Sequence, residues 1–161
     1  MKLSSFSLLK NGWFSIDCGK KGAGNSPSFT VENAPEGTVS LALLLEDRDA
    51  FPVTGGFSWV HWAACNIALP GLPEGADAEE HGFKQGVNSY ISPQGGLLPR
   101  SECVGYCGMS PPDEAHLYTL RVFALDTLLD IENGFNMNIM FRKMQGHILE
   151  SAEISGWYGK V

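Results

Sequence analysis

Residues 41–67, LALLLEDRDAFPVTGGFSWVHWAACNI, contain two apolar runs on either side of a charged loop. The first run, residues 41–45, is apolar at every position, which predicts a strand covered on both faces and therefore central in a sheet. The second run, residues 59–67, is predicted to be the next strand. An acidic cluster followed by a turn with proline and glycine connects the two strands.

Ionisable side chains of two kinds are predicted to meet at one end of this strand pair. Asp47 continues the face of Leu45, while simple alternation puts His61 on one face with Trp59 and Ala63. The carboxylate and the imidazole can therefore lie close together. The alternative is that the aspartate only closes a turn, as aspartate at a strand end commonly does.

A third strand is predicted after an irregular stretch, residues 91–108, and the prolines at 111–112. A loop that long in a compact domain is uncommon unless it has a function. His116, at the start of the strand, shares a face with Tyr118 and Leu120. A lone histidine there could be purely structural, but acids and two imidazoles at strand ends together favour a pocket.

The rest of the chain predicts a mainly β domain. Residues 3–9 and 28–31 are predicted strands, and residues 152–158 a final strand. The only long helix is predicted near residues 136–146, where Met140 and its helical neighbours would pack on a sheet.

Composition indicates one domain, residues 1–161, because 43% of the residues are hydrophobic and no linker or repeat interrupts the chain. The formal charge of -7 disfavours nucleic acid and anionic lipid surfaces as partners. No apolar run reaches the ~20 residues of a membrane-spanning helix. Without a recognisable leader sequence, we expect a cytoplasmic protein.

The four cysteines are expected to be free thiols, because they lack the density and spacing of a disulfide scaffold. Cys103 and Cys107 have no matching second pair of cysteine or histidine residues, so we predict no metal and no cofactor. No serine or cysteine stands in a nucleophile motif. The sequence therefore predicts a protein that is not an enzyme.

Five short motifs follow one another in a characteristic order: residues 47–50 (DRDA), residues 59–62 (WVHW), Gly105-Tyr106, Pro111-Pro112 and residues 116–118 (HLY). Together they resemble the phosphatidylethanolamine-binding protein family. The match covers most of the chain and is most similar to the bacterial YbhB/YbcL-type branch, which is also called Raf-kinase-inhibitor-like.

This resemblance implies a Greek-key β-sandwich with a large antiparallel sheet and one helix in the C-terminal region. It also implies a small anion-binding pocket for phosphate or a phosphorylethanolamine head group. Carried over position by position, the ligand-binding residues are Asp47, Asp49, His61, Pro111, His116 and Tyr118.

The chain departs from the family pattern in two of these loops. Arg48 stands where the family has a proline between two aspartates, and the next proline is shifted to Pro52. Asp113 and Glu114 replace the glycine that usually follows the paired prolines.

The function expected from the residues and the resemblance is noncatalytic binding of an anion or phosphorylated ligand, with regulation of a protein partner as an extension. One alternative is a hydrolase or metal-dependent enzyme that uses His61, His116 and Asp47 as a two-histidine, one-carboxylate set. Another is a protein inhibitor of a protease or kinase. We also expect a homodimer, since a small sandwich commonly covers its exposed edges by pairing with a second copy.

Overall fold

Two antiparallel sheets form the core of the protein in the computed structural model, which describes residues 1–160. The mainly β sandwich predicted from the sequence is thereby confirmed. The strands are β1 (Lys2–Ser4), β2 (Phe29–Glu32), β3 (Ser40–Asp47), β4 (Trp59–Ile67), β5 (Gly71–Leu72), β6 (Lys84–Gln85), β7 (His116–Leu125) and β8 (Ile148–Tyr158).

The predicted C-terminal helix is present as α4 (Met137–Met144), the longest helix within residues 1–160. Three helices of a single turn lie in loops whose sequences show no helical periodicity. They are α1 (Phe51–Thr54), α2 (Ala78–His81) and α3 (Arg100–Cys103), and three short 3-10 segments, Ile16–Cys18, Ser89–Ile91 and Pro93–Gly95, accompany them.

The five-stranded sheet has the order β6-β4-β3-β7-β8, and the three-stranded sheet has the order β1-β2-β5. β3 therefore lies in the middle of the larger sheet, as its uninterrupted apolar sequence predicted. It pairs with β7 along its whole length, from Ser40 opposite Leu125 to Asp47 opposite Tyr118. The last pairing brings the acidic end of β3 beside the start of β7.

The two faces of β3 contribute to two separate hydrophobic clusters. Leu43 and Leu45 face the smaller sheet, where they pack in a cluster that also contains Phe29 and Val31. Ala42, Leu44 and their neighbours face the opposite side, where Met140 and Met144 of α4 cover them. This alternation follows directly from the two-residue period of a strand.

A β-bulge interrupts the pairing of β3 with β4 just before the acidic loop. Leu45 is opposite Trp62, but the next residue, Glu46, is opposite Val60. His61 is therefore an extra residue without a direct partner on β3. A bulge of this kind re-aims the side chains around it.

The prediction that His61 shares a face with Ala63 is wrong because of this bulge. Ala63 packs in the cluster on the α4 side. The His61 ring instead lies on the other side, with its centroid 5.1 Å from that of Tyr118. The bulge thus turns the imidazole toward the side of the sheet that carries Tyr118.

Within residues 1–160, no helix combines the length and the apolarity needed to cross a bilayer.

Candidate functional site

A cavity of about 210 Å³ opens where the ends of β3, β4 and β7 meet. Of the six residues predicted to bind a ligand, all but Asp49 line it. The complete lining consists of Asp47, Ala50, Val53, Thr54, Trp59, His61, Tyr90, Gln94, Ser110, Pro111, Pro112, His116 and Tyr118.

A buried pair between a carboxylate and an imidazole anchors this cavity. His116 Nδ1 is 2.7 Å from Asp47 Oδ2, and both side chains are almost completely buried. The register of β3 with β7 creates the contact, because Asp47 is opposite Tyr118 and so lies diagonally from His116. The other oxygen, Oδ1, accepts the backbone N–H of Ala50 at 3.1 Å.

The second nitrogen of His116 also contacts a carboxylate. Nε2 is 2.9 Å from Asp113 Oδ1, and the Asp113 side chain is 51% exposed. Ionised carboxylates only accept hydrogen bonds, so making both contacts requires an N–H on both ring nitrogens. The geometry therefore corresponds to a protonated imidazolium held between two carboxylates.

The pKa values of these groups agree with that arrangement. Burial lowers the pKa of His116, but the hydrogen bonds and charges of Asp47 and Asp113 outweigh burial and raise the pKa above its ordinary value. Burial raises the pKa of Asp47, an effect that contact with His116 opposes. The Glu114 backbone N–H, together with His116, holds the pKa of Asp113 below its usual value.

His61 has the opposite protonation behaviour. Its Nδ1 is 2.7 Å from the backbone oxygen of Cys107, which can only accept, so Nδ1 carries the hydrogen and donates. Burial lowers the pKa of His61 to about 4. The ring is thus neutral near pH 7, and its Nε2 is left as an acceptor.

Tyr118 contributes a hydroxyl group that has no partner. The hydroxyl is buried and forms no hydrogen bond of good geometry with another described residue, although the Asp47 carboxylate and the Ser110 backbone lie near it. Tyr118 also lines the cavity. Burial and the nearby Asp47 carboxylate raise the pKa of Tyr118, so the phenol keeps its proton. A buried donor without a partner is costly, and a ligand oxygen would satisfy it.

Aromatic rings and a lysine form one wall of the cavity and its surroundings. The rings of Trp59 and Tyr90 meet edge to face with centroids 5.1 Å apart. The Lys20 ammonium group lies 4.4 Å from the Tyr90 ring centroid and donates to the Tyr90 hydroxyl. A positive charge therefore stands close to the cavity in addition to His116.

No sequence motif marks Tyr90, Gln94 or Ser110 as site residues. Tyr90 and Gln94 belong to 3-10 segments in the long connection before β7, where no periodicity indicates which side chains point inward. The unusual length of that connection was the available signal. Ser110 directly precedes Pro111 and Pro112, and only the two prolines belong to a recognisable motif.

Asp49 lies outside the cavity lining. Its carboxylate accepts the backbone N–H of Leu117 at 2.8 Å, which ties the loop after β3 to the start of β7. Asp49 therefore supports the position of the loop.

The proposed set of two histidines and one carboxylate does not have the geometry of a metal site. Both nitrogens of His116 are occupied by carboxylates, and Nδ1 of His61 is bonded to a carbonyl. Within residues 1–160, no group of three histidine, cysteine or acidic side chains is arranged to hold a metal ion. All four cysteines are unpaired and buried.

Comparison with known proteins agrees with the fold. The family model described as phosphatidylethanolamine-binding protein matches residues 4–159. The chain belongs to the phosphatidylethanolamine-binding protein family. The resemblance inferred from the short motifs is thereby confirmed, and membership supports a ligand-binding or regulatory role at a coarse level.

Relatives of this family member occur in bacteria. The uncharacterized protein YxkA of Bacillus subtilis is 43% identical over 132 residues, which cover 79% of this chain and 78% of YxkA. A UPF0098 protein of Chlamydia trachomatis is 34% identical over 143 residues, covering 87% of this chain and 86% of its own.

Two solved structures of the family share the fold. The homologue CT736 of Chlamydia trachomatis superposes with a TM-score of 0.83 at 30% identity, covering 99% of this chain and 97% of its own. Escherichia coli YbcL, described as a member of the mammalian family, gives a TM-score of 0.76 at 25% identity, covering 99% and 98%.

Proposed function

We propose that this family member binds a small anionic ligand of the phosphate or phosphorylethanolamine type without catalysing a reaction. The observation that carries the proposal is the buried His116 imidazolium, which lines the cavity and is held protonated by Asp47 at 2.7 Å. A fixed positive charge in a site with little water attracts an anion more strongly than the same charge in solvent.

Hydroxyl donors near that charge support recognition of phosphate oxygens. The Tyr118 hydroxyl is buried without a partner, and Ser110 lines the same cavity. Hydrogen bonds from these groups to a phosphate would be charge-assisted and therefore stronger than bonds between neutral groups. Lys20 near the cavity adds a second positive charge.

The same cavity has features that suit an ammonium group linked to the phosphate. The ring of Trp59 and the neutral Nε2 of His61 can interact with a cation, the first through its π face and the second as an acceptor. Phosphorylethanolamine combines both charges in one small molecule. This supports a zwitterionic head group as well as inorganic phosphate.

The absence of catalysis is supported by the protonation state of the thiol that lies beside His61. Cys107 Sγ is 3.5 Å from His61 Nδ1, but burial raises the pKa of the thiol to about 12. A thiol in that state is a poor nucleophile. Nδ1 of His61 also donates to the Cys107 carbonyl, so it is not available as a base.

Calorimetric titration tests the binding proposal. Phosphate and phosphorylethanolamine should bind the wild type near pH 6, and His116→Ala and His116→Gln should each weaken binding by at least about tenfold, since a bond to a charged group contributes 1.5–3 kcal/mol. The matched control is His147→Ala, because His147 is exposed and pairs with Asp126. Binding that survives both His116 substitutions in folded protein would refute the proposal.

A turnover assay tests the noncatalytic part separately. Wild type and His61→Ala should both leave ester and phosphoester substrates unchanged at rates indistinguishable from buffer. Hydrolysis by the wild type that disappears in His61→Ala would establish an enzyme instead.

A further inference from the structure

We propose that Asp113 is a built-in competitor for the ligand: its carboxylate occupies the Nε2–H of His116 in the free protein, and a bound anion displaces it. This inference rests on the proposed anion-binding function and adds a regulation of that site. It makes Asp113 a residue that sets affinity without belonging to the cavity lining.

The hydrogen bonds of His116 make this competition necessary. Nδ1 is committed to the buried carboxylate of Asp47 at 2.7 Å, so Nε2 carries the other N–H that the ring can offer. That N–H points to Asp113 Oδ1 at 2.9 Å. An anion that is to receive a hydrogen bond from His116 must therefore replace a carboxylate, which is itself an anionic acceptor.

The balance of charge gives the same result. One imidazolium lies between two carboxylates, Asp47 and Asp113, which leaves a net negative charge on the three groups. The phenol of Tyr118 and the imidazole of His61 lie near the ring and are neutral, so they do not offset that charge. Tyr158, opposite His116 on β8, is also a phenol, and the Lys20 ammonium lies farther out, against the ring of Tyr90. If the Asp113 side chain rotates into solvent, the ligand meets only the Asp47–His116 pair, which is neutral overall.

The side chain of Asp113 can move while the backbone of its loop stays in place. Pro111 and Pro112 restrict the backbone before Asp113. Gly159 packs tightly beneath the loop, since a Cβ atom at that position would lie 2.8 Å from Ala115 Cα and 2.9 Å from Pro111 Cγ. The Asp113 side chain is 51% exposed, so rotation about its own bonds is sufficient.

Substitution of Asp113 provides a direct test with a matched control. Asp113→Asn removes the competing charge, and Glu114→Gln removes the same charge from the next exposed residue, whose side chain forms no hydrogen bond with His116. Sulfate is the probe, because its charge stays constant over the working pH range. At about pH 6, we expect Asp113→Asn to bind sulfate about threefold to tenfold more tightly than wild type, and Glu114→Gln to change binding less than about twofold.

Proton NMR titration of the His116 ring gives a second readout that needs no ligand. In Asp113→Asn the pKa of His116 should fall, because one of the two carboxylates is gone, whereas Glu114→Gln should leave it in place. An unchanged pKa of His116 in Asp113→Asn would show that the contact with Asp113 does not help to keep the ring protonated.

The outcomes separate this inference from the proposed function. Equal sulfate affinity of wild type and Asp113→Asn would refute the proposal that Asp113 competes with the ligand, but not the anion site itself. Tighter binding by Asp113→Asn with an unchanged control supports both. If neither protein binds sulfate, phosphate or phosphorylethanolamine, the anion site and the competitor are both refuted.

Discussion

The two cavity histidines differ because different groups face their Nδ1 atoms. His116 faces the Asp47 carboxylate, which favours a charged ring, whereas His61 faces the Cys107 carbonyl, which requires only a neutral donor. Both rings are buried, so the desolvation penalty is similar in kind. The carboxylate determines which ring carries the charge.

Replacement of Asp47 tests this assignment. Asp47→Asn should lower the pKa of His116, because it removes the buried carboxylate that opposes desolvation. Anion binding should then be confined to a lower pH range, although removal of a negative charge works in the opposite direction. NMR titration of the His116 ring gives the pKa, and calorimetry shows which of the two effects on binding dominates.

Asp49→Asn is the control for that substitution. It removes an equal charge two residues away, but Asp49 bonds the Leu117 backbone N–H and not His116. A His116 pKa that falls as much in Asp49→Asn as in Asp47→Asn would contradict a specific role for the buried pair.

His61 should make the protein acid-sensitive. Its pKa is lowered from 6.5 to about 4, so its contribution to stability is complete above pH 6.5 and is lost as the pH falls toward 4. The full difference is about 3 kcal/mol. Urea unfolding between about pH 4 and pH 6.5 should show a weaker pH dependence for His61→Gln than for wild type. Identical slopes would contradict the buried neutral ring.

His116 contributes in the opposite direction. A raised pKa means that its contribution to stability is fully present below about pH 6.5 and is lost as the pH rises through the pKa of the folded state. Together, the two histidines favour maximal stability at a pH close to the pKa of histidine in the unfolded chain.

Local sequence identified five of the thirteen residues that line the cavity, but not their contacts. His61 and His116 stood out because ionisable residues interrupt otherwise apolar strands. The bulge that re-aims His61 depends on how β4 pairs with β3, which no local pattern contains. Asp113 was noted only as a departure from the family pattern, and its bond to His116 depends on the turn between them.

Helices and strands could be predicted where burial imposes a regular spacing of apolar residues on the sequence. The run from Leu41 to Leu45 predicted a central strand, and the methionines at 140 and 144 predicted the buried side of α4. The predicted strand at residues 3–9 is shorter, since β1 ends at Ser4 and Phe6 is 90% exposed. Apolar residues in a loop can imitate a strand when no partner strand is known.

α4 should stabilise the fold without taking part in binding. Met140 is completely buried against the face of the large sheet that lies away from the cavity lining. Met140→Ala should lower the free energy of unfolding by about 2–5 kcal/mol through loss of buried surface and a new cavity, with phosphate affinity retained. Chemical denaturation and calorimetry measure the two quantities.

Arg142→Ala is the control on the exposed side of the same helix. Its free energy of unfolding should change by less than about 0.5 kcal/mol. A large loss of phosphate affinity in Met140→Ala protein that remains folded would contradict the separation of α4 from the site.

In the molecule as a whole, the positive groups at the cavity lie within a negatively charged chain and beside the carboxylates of Asp47 and Asp113. The formal charge is -7, which repels anions at long range, while His116 and Lys20 provide positive charge at the cavity. The fold class could be predicted because the motifs and the strand pattern agree along the chain. The size of the cavity could not be predicted from the sequence, because loops from distant parts of the chain enclose it.

Homodimer formation stays a prediction at this scale. β8 ends the large sheet and pairs with β7 alone within that sheet, so one of its edges is open to another strand over much of its length. Multi-angle light scattering at micromolar concentration should give twice the mass of the 17.4 kDa chain. The mass of a single chain would contradict the prediction.

Calorimetric titration of wild type and His116→Gln with sulfate from about pH 5.5 to 8.5 tests the anion site, because histidine is the side chain that changes its charge near neutral pH. We expect the sulfate affinity of the wild type to fall as the pH rises through the pKa of His116, and His116→Gln to bind sulfate weakly at every pH. Wild-type affinity that is independent of pH, or equal to that of His116→Gln, would contradict an anion site built around the His116 imidazolium.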